Sequence, residues 1–582
     1  MMAWGEKSLS TRNRGLQPKK NLVRWPHAVL CTVVLSGPVA ALAQTLPDAG
    51  TVLQQIEQEH RNALPPKSAP QFLPPPPMES IGGATVTVNT FKFVGNTLLP
   101  TRQLASSVTG LKGRPLDFAE LQNAAIAVAT AYRRAGWVVR VYLPQQDITS
   151  GTVTIQIIEA KFGAVRVEGK TKRVSAESLK SMVDTSQRPG MPLNADALDR
   201  ALLLIDDLPG LRATGSLIEG ANQGETDLVL AVKDGPQVAG NVTADNAGAR
   251  YTGAARITAD ASLNSPFGLG DRTDAVLLHS QGSDYQRLAY SIPAGSRGWR
   301  VGMNASHLTY DIVTAAFGAL DAHGTSTTIG LEANYPLLRS RLRNLYFSVN
   351  VDDKRFDNKS AGETATRYSI VDASVGLYGN SFDDLGGGGA NNASMTLVQG
   401  RNDLAGSPNE GADAVTTRTA GSFQRLTLSS SRQQTLTERV SLYASLSGQA
   451  STKNLDSSEK FYLGGVSGVR AYPANEGGGA EGLLLDLEAR IRLPMHFNAV
   501  GFFDWGSVRV NRNNGFAGAA TPNTDTLKGA GMSLGWTANF GLTLKATAAH
   551  RIGSNPIPTS TGDDQDGSLI KNRIWLQASM PF

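Results

Sequence analysis

Residues 485–493 read LDLEARIRL, in which Leu485, Leu487, Ala489, Ile491 and Leu493 alternate with Asp486, Glu488, Arg490 and Arg492. Successive side chains of a strand point to opposite faces, so the segment predicts a strand with one greasy and one charged face. The same alternation recurs at 345–352, where Leu345, Phe347, Val349 and Val351 oppose Tyr346, Ser348, Asn350 and Asp352, and at 542–547. A soluble sandwich alternates as well, and connection lengths separate the two. Short turns near 437–439, 494–498 and 539–541 alternate with long connections at 452–481, 511–526 and 553–572 that are rich in Gly, Asn, Asp and Ser. This predicts an antiparallel transmembrane β-barrel with short periplasmic turns and long outer loops. Over residues 235–582, roughly 43 residues per hairpin give eight hairpins and 16 strands. Its last strand places Ile574, Leu576, Ala578, Met580 and Phe582 on one face, and Phe582 ends the chain as a barrel carboxy-terminal signal.

The amino terminus has a different composition. Lys7, Arg12, Arg14, Lys19, Lys20 and Arg24 precede an apolar run from Ala28 to Ala43 that closes on small residues, which predicts a secretory signal peptide at 1–43. That segment holds six basic residues and one acidic residue, the whole formal charge of +5, so the basic balance says nothing about nucleic acid. Cys31 is the only cysteine, which leaves the mature chain without disulfide or thiol chemistry. No apolar run of roughly 18 or more residues follows, so no transmembrane helix is expected.

Residues 44–64 predict a leader helix, with Thr51 and Gln54 spaced as a capping box and Val52, Leu53, Ile56 and Leu64 as its apolar stripe. A proline-rich linker follows at 65–83, with seven prolines among residues 65–77. As polyproline it would reach about 60 Å, more than the ~30 Å core of a bilayer. Two units of one plan come next, at 84–160 and 161–234: a strand, two helical stretches, then two strands. TVTVNTFKFVGN, WVVRVYLP and TVTIQIIEA are the strands of the first; FGAVRVEG, ATGSLIEG and TDLVLAV are those of the second. Both sheets expose edges able to accept an extended partner.

Within the barrel, GGVSGVRAYPANEG (464–477) and GFFDWG (501–506) single out one arginine and one aspartate. With Phe503 and Trp505 toward lipid, alternation turns Asp504 inward. There, an arginine on an in-folded loop would satisfy a carboxylate that is costly to leave unpaired.

Together these segments resemble the two-partner secretion transporters, the TpsB family of ShlB/FhaC/HecB-type haemolysin activators, a branch of the superfamily that includes BamA. FKFVGN, with Phe91, Phe93, Gly95 and Asn96, resembles the first-strand signature of a POTRA domain. Leu208-Pro209-Gly210 is similar to the matching turn of a second, and NSPFGLGD at 264–271 to the family's first barrel hairpin. GVRAYPANE is similar to the loop-six motif, here Val469, Arg470 and Tyr472, with Ala471 where glycine is usual. The resemblance implies an outer-membrane β-barrel of about 16 strands preceded by two α+β POTRA domains and an N-terminal plug helix. It further implies a Gram-negative outer membrane with POTRA domains in the periplasm, and export of a large haemolysin- or adhesin-like exoprotein, captured by its amino-terminal secretion domain. The implied surroundings are outer-membrane lipid and, during biogenesis, the barrel assembly machinery. A BamA-like assembly factor is the alternative, and a passive porin is a third.

The remaining motifs predict no enzyme, no cofactor, no metal and no nucleic-acid partner. Asp563, Asp564 and Asp566 depart from the EF-hand spacing and read as a solvated loop. GGGG at 386–389 and GGG at 477–479 read as loop filler, the seven histidines form no zinc pair, and no G-x-x-x-x-G-K-[ST] string occurs.

Overall fold

The structure, a computed structural model, describes residues 47–59, 64, 66–67, 85–559 and 561–582. The signal peptide expected at 1–43 and nearly all of the proline-rich linker lie outside the described residues. Sixteen antiparallel strands close into a barrel, from Val238–Asp245 to Asn572–Pro581, with the last strand paired to the first. The outward residues of its alternating strands, among them Leu277, Ile329, Leu331, Met532 and Leu576, form an exposed apolar band suited to lipid. Among the described residues no helix is long and apolar enough to cross a membrane.

The alternation of short and long connections holds where it was read and fails at two outer positions. Residues 361–362 join strands Arg343–Ser360 and Glu363–Asp383, of 18 and 21 residues. A spanning strand needs only about 9–11 residues, so chain expected as loop is built as strand instead. The other short connection, 281–282, lies against the first outer loop, with Gly282 N–H donating to Thr252 O at 2.8 Å.

Two α+β units precede the barrel. In the first, Thr90–Val94 runs parallel beside Thr152–Glu159, and Val139–Tyr142 flanks the latter antiparallel. Helix Phe118–Arg134 is started by Asp117 and Glu120 as a reciprocal capping box and packs Leu121, Val128 and Tyr132 onto the sheet. The second repeats the plan with Lys161–Glu168, Glu225–Asp234 and Leu211–Glu219 under helices Ala176–Ser186 and Ala195–Asp206. Backbone bonds join the two units: Val138 N–H to Leu193 O at 3.1 Å and Leu193 N–H to Ala160 O at 2.8 Å.

The second unit is seated on the barrel's periplasmic turns. Arg339 forks onto Asp207 at 2.7 and 2.8 Å, and Arg341 onto Asp199. NSPFGLGD is the first periplasmic turn, joining the second and third strands, and not part of the first hairpin. That hairpin pairs 238–245 with 256–263 across loop 246–255. The weak alternation of VAGNVTAD hides its opening strand from a sequence reading.

The leader helix spans Ala49–Glu59 and lies inside the barrel, with Ala49, Val52, Leu53 and Ile56 packed against Tyr285, Leu308, Tyr310, Phe356 and Ile370 of the wall. Its start differs from expectation. Asp48 receives the Thr51 N–H at 2.8 Å, and its carbonyl takes the first helical bond from Val52. Asp48 is therefore the cap, Thr51 lies within the first turn, and Leu64 lies beyond the helix. Lys67 comes within 3.6 Å of Asp384, at a periplasmic turn.

Candidate functional site in the barrel lumen

The outer connection 452–480 does not project from the barrel but folds back into it. Phe461–Tyr462 pairs with Gly478–Gly479 as a stem, and Val469 N–H donates to Leu463 O at 2.7 Å to fold the tip on itself. The GGG stretch is thus part of a packed two-stranded stem rather than loop filler. Phe461, Leu463, Val469, Ala471 and Tyr472 bury against Phe502, Val508, Leu527 and Ala549 of the wall. That apolar contact fixes the tip, and between Val469 and Ala471 it leaves the Arg470 guanidinium to the charged wall beside it.

Arg470 turns to the wall, where Phe503 is exposed and Phe502 and Asp504 are buried, the inward phase of strand Phe497–Arg509. Its Nη2 donates to Asp504 Oδ1 at 2.6 Å and to Asp486 Oδ1 at 2.7 Å, Nε to Asp504 Oδ2 at 3.0 Å, and Nη1 to Glu488 Oε1 at 2.7 Å. The Arg470 backbone N–H also reaches Asp504 Oδ2 at 2.9 Å. Beneath the guanidinium lies the Phe502 ring, 3.6 Å from centroid to Cζ. Arg470 is 7% and Asp504 0% exposed; removing Arg470 leaves the Asp504 charge buried without its cation, a loss that costs about 3–5 kcal/mol, whereas Arg470 without Asp504 keeps Asp486 and Glu488. Burial works against the Arg470 charge, and its bonds to Asp504, Asp486 and Glu488 outweigh that and raise its affinity for the proton.

Asp486 and Glu488 were in the alternating segment but were not assigned to the arginine. A signal existed: the turn at 493–496 sets Asp486 directly opposite Asp504, and like charges facing across a sheet are unfavourable unless a cation comes between them. Ala471 adopts no left-handed conformation and needs none. Room for its methyl comes from Gly529 on the facing strand, where an added Cβ would stand 2.6 Å from the Ala471 Cβ. Tyr472 is fully buried under the Arg551 guanidinium, 4.2 Å from the ring centroid.

Loop six also meets the last outer loop. Glu476, fully buried, accepts Asn555 Nδ2 at 2.6 Å and Gln565 N–H at 2.8 Å. Burial and the nearby Asp564 push its carboxyl up to about 8. Asp564 and Asp566 are buried and paired with Arg551 and Arg573, not solvated as expected. A sequence reading cannot foresee this, because the arginines come from strands Thr543–Arg551 and Asn572–Pro581.

The other named positions lie far from the lumen. Phe91 is buried and Phe93 half-buried in the first periplasmic sheet; Gly95 holds a φ of +89°, and Asn96 donates to Leu99 O at 3.1 Å. This turn is clasped by Glu159, unforeseen from the sequence, which accepts Thr97 and Leu98 N–H at 2.8 Å and Tyr132 Oη at 2.8 Å. Partial burial opposes the Glu159 charge, and these bonds win, holding the carboxyl below its usual range. Leu208, Pro209 and Gly210 form the turn seated on the barrel, where a Cβ on Gly210 would lie 2.9 Å from Asn264 Cβ. Phe582 exchanges backbone bonds with Gly240, at 3.0 and 3.1 Å, just past the closing ladder.

This architecture has known relatives. The family model for haemolysin secretion/activation protein ShlB/FhaC/HecB matches residues 224–538, more than half of the chain, and that for the ShlB-type POTRA domain matches 86–160. The chain belongs to the ShlB/FhaC/HecB family. It is 25% identical over 587 residues to the heme/hemopexin transporter protein HuxB of Haemophilus influenzae, covering 97% of this chain and 100% of that one. It is 24% identical to the outer membrane transporter CdiB of Escherichia coli, over 76% of each chain. Among solved structures, CdiB from Escherichia coli matches with a TM-score of 0.70 at 21% identity, over 92% of this chain and 99% of that one. BamA from Haemophilus ducreyi lacking POTRA domains 1–3 matches with a TM-score of 0.51 at 15% identity, over 85% and 100%. The protein is therefore a TpsB-type outer-membrane transporter of exoproteins, with its POTRA domains in the periplasm.

Proposed function

We propose that this TpsB transporter takes one large exoprotein, of haemolysin or adhesin type, by its amino-terminal secretion domain in the periplasm and passes it through the barrel to the cell surface. The observation that supports this most is a lumen occupied by two elements that are not part of the wall, the leader helix and loop six, each packed against it. Residues 1–43 act as the secretory signal. The units at 84–160 and 161–234 receive the unfolded cargo at a sheet edge or adjoining groove, where main-chain bonds capture an extended segment of any sequence. Export draws on folding of the cargo outside rather than on a nucleotide, since the sequence has no phosphate-cradling loop. The apolar band sits in outer-membrane lipid, placed there by the barrel assembly machinery.

Deleting residues 84–160 is expected to abolish both capture and export while leaving the barrel heat-modifiable on gels. The reading fails if this deletion still exports its exoprotein, or if a purified 84–234 fragment shows no binding to the amino-terminal domain of an exoprotein that the full chain secretes.

A further inference from the structure

The ladder that closes the barrel is short. Residues 241–245 pair with 577–581, five residue pairs whose backbone ladder is extended only by the Gly240–Phe582 bonds and by Asn246 N–H to Leu576 O at 3.3 Å, whereas the first strand makes eight pairs with its other neighbour. Loop six touches the chain on both sides of this seam. Its Asn475 donates to Tyr251 Oη at 2.7 Å in the loop that leaves the first strand. Its Glu476 binds the loop that enters the last strand. Between the loop tip and the seam lies a polar cavity of about 350 Å³, bordered by Ser467 on one side and Thr243, Asp245, Thr547 and Gln577 on the other.

One contact crosses directly from the tip to the last strand. Ile574 and Leu576 face outward, 63% and 54% exposed, so Trp575 faces the lumen, where it is buried. Tryptophans of outer-membrane barrels usually serve the outward aromatic girdles. A buried indole has one donor and needs a partner for it. Here that partner is the backbone carbonyl of Arg470, at 2.8 Å. Arg470 is thus gripped twice: its side chain by Asp504, Asp486 and Glu488, and its main chain by the strand that closes the barrel.

We propose that Trp575 is a positioning residue that sets the depth of loop six in the lumen, and that through this bond the loop braces the seam between the first and last strands. The inference rests on loop six being a moving part of the transporter. It predicts that the tip and the seam loosen together, because withdrawal of the loop leaves the buried indole N–H of the last strand without its acceptor and removes the loop's bonds on both sides of the seam.

The test is a substitution that removes the donor and keeps the shape: benzothienylalanine at position 575, with Trp575→Phe as the second variant. Both are made in the full chain with spin labels on Ser467→Cys and Thr547→Cys, which border the same cavity. Without cargo, the unsubstituted protein should give one short label distance. Each variant should add a longer population of at least a fifth of the molecules, with amide exchange at 241–245 and 577–581 at least threefold faster. An unchanged distance distribution overturns the positioning role whatever export does, and unchanged exchange overturns the brace. A shifted distribution with wild-type export supports the positioning role and instead contradicts the part assigned to loop six in transport.

Discussion

Two elements occupy the lumen, and they are held by different physics. Loop six is fixed by charge: one guanidinium with three carboxylates, backed by an apolar tip and by Glu476 against the last loop. The leader helix is fixed by a thin apolar face, by neutral bonds and by one charge-assisted bond at its Asp48 cap. Ala49 N–H meets Asn358 Oδ1 at 2.9 Å, Gln55 Nε2 meets Ala247 O at 3.0 Å, and Ser457 Oγ meets the Asp48 carboxylate at 2.7 Å. Hydrogen bonds between neutral groups contribute about 0.5–1.5 kcal/mol each, and stripping one partner from a buried ion pair costs about 3–5 kcal/mol. The helix is therefore the more readily released of the two, and the loop the more firmly held. Because Asp48, Gln54 and Gln55 bind loop-six residues Ser457, Lys460 and Asn475, the helix seat is partly made of the loop.

The largest effect expected from this contrast is on the empty pore. Deleting residues 44–64 should raise single-channel conductance in planar bilayers, while loop six stays docked and keeps it below that of an empty barrel. Conductance equal to that of the full chain would remove the plug reading of the helix.

A second effect is pH-dependent and is read on the loop. The folded Glu476 carboxyl lies above its ordinary value, so the folded state holds the proton more tightly than the released loop. The stabilisation is complete below about pH 4.5 and is lost as pH rises through about 8. The groups facing Glu476 are Asn555, the Gln565 amide, Asp564 and Asp525, with Arg551 beyond Asp564. Protection of the amides in 464–480, taken relative to their intrinsic base-catalysed exchange, should therefore fall between pH 6 and pH 9, and Glu476→Gln should flatten that dependence. Equal slopes in both proteins would contradict the assignment.

The smallest effect lies at the helix cap. Asp48→Ala removes the cap and the Ser457 bond, and caps contribute about 1 kcal/mol. Brief openings of the pore should become severalfold more frequent, with no change in the fully open level. A change in that level would mean that Asp48 holds more than the helix.

The barrel was legible because alternation and turn spacing are local. So was the phase of Asp504, one residue from two aromatics. What was not legible came from outside the quoted strings. Asp486 and Glu488 join Arg470 only once strand register is known, and Trp575 is more than a hundred residues from its acceptor. Asp564 and Asp566 read as solvated because their arginines lie on two other segments. The helix start was misplaced by three residues, since Asp48 and Thr51 both have capping side chains and only the seat on Ser457 chooses between them.

The three-carboxylate site also alters how its central pair is tested. Exchanging Arg470 and Asp504 would place an aspartate beside Asp486 and Glu488, so the swap is expected to fail even though the pair is direct. The most direct measurement is export of the exoprotein by Arg470→Ala and by Asp504→Ala, each checked for an inserted, heat-modifiable barrel. The account predicts that both barrels fold and that export falls below a tenth of wild type. Wild-type export from either folded variant would contradict it.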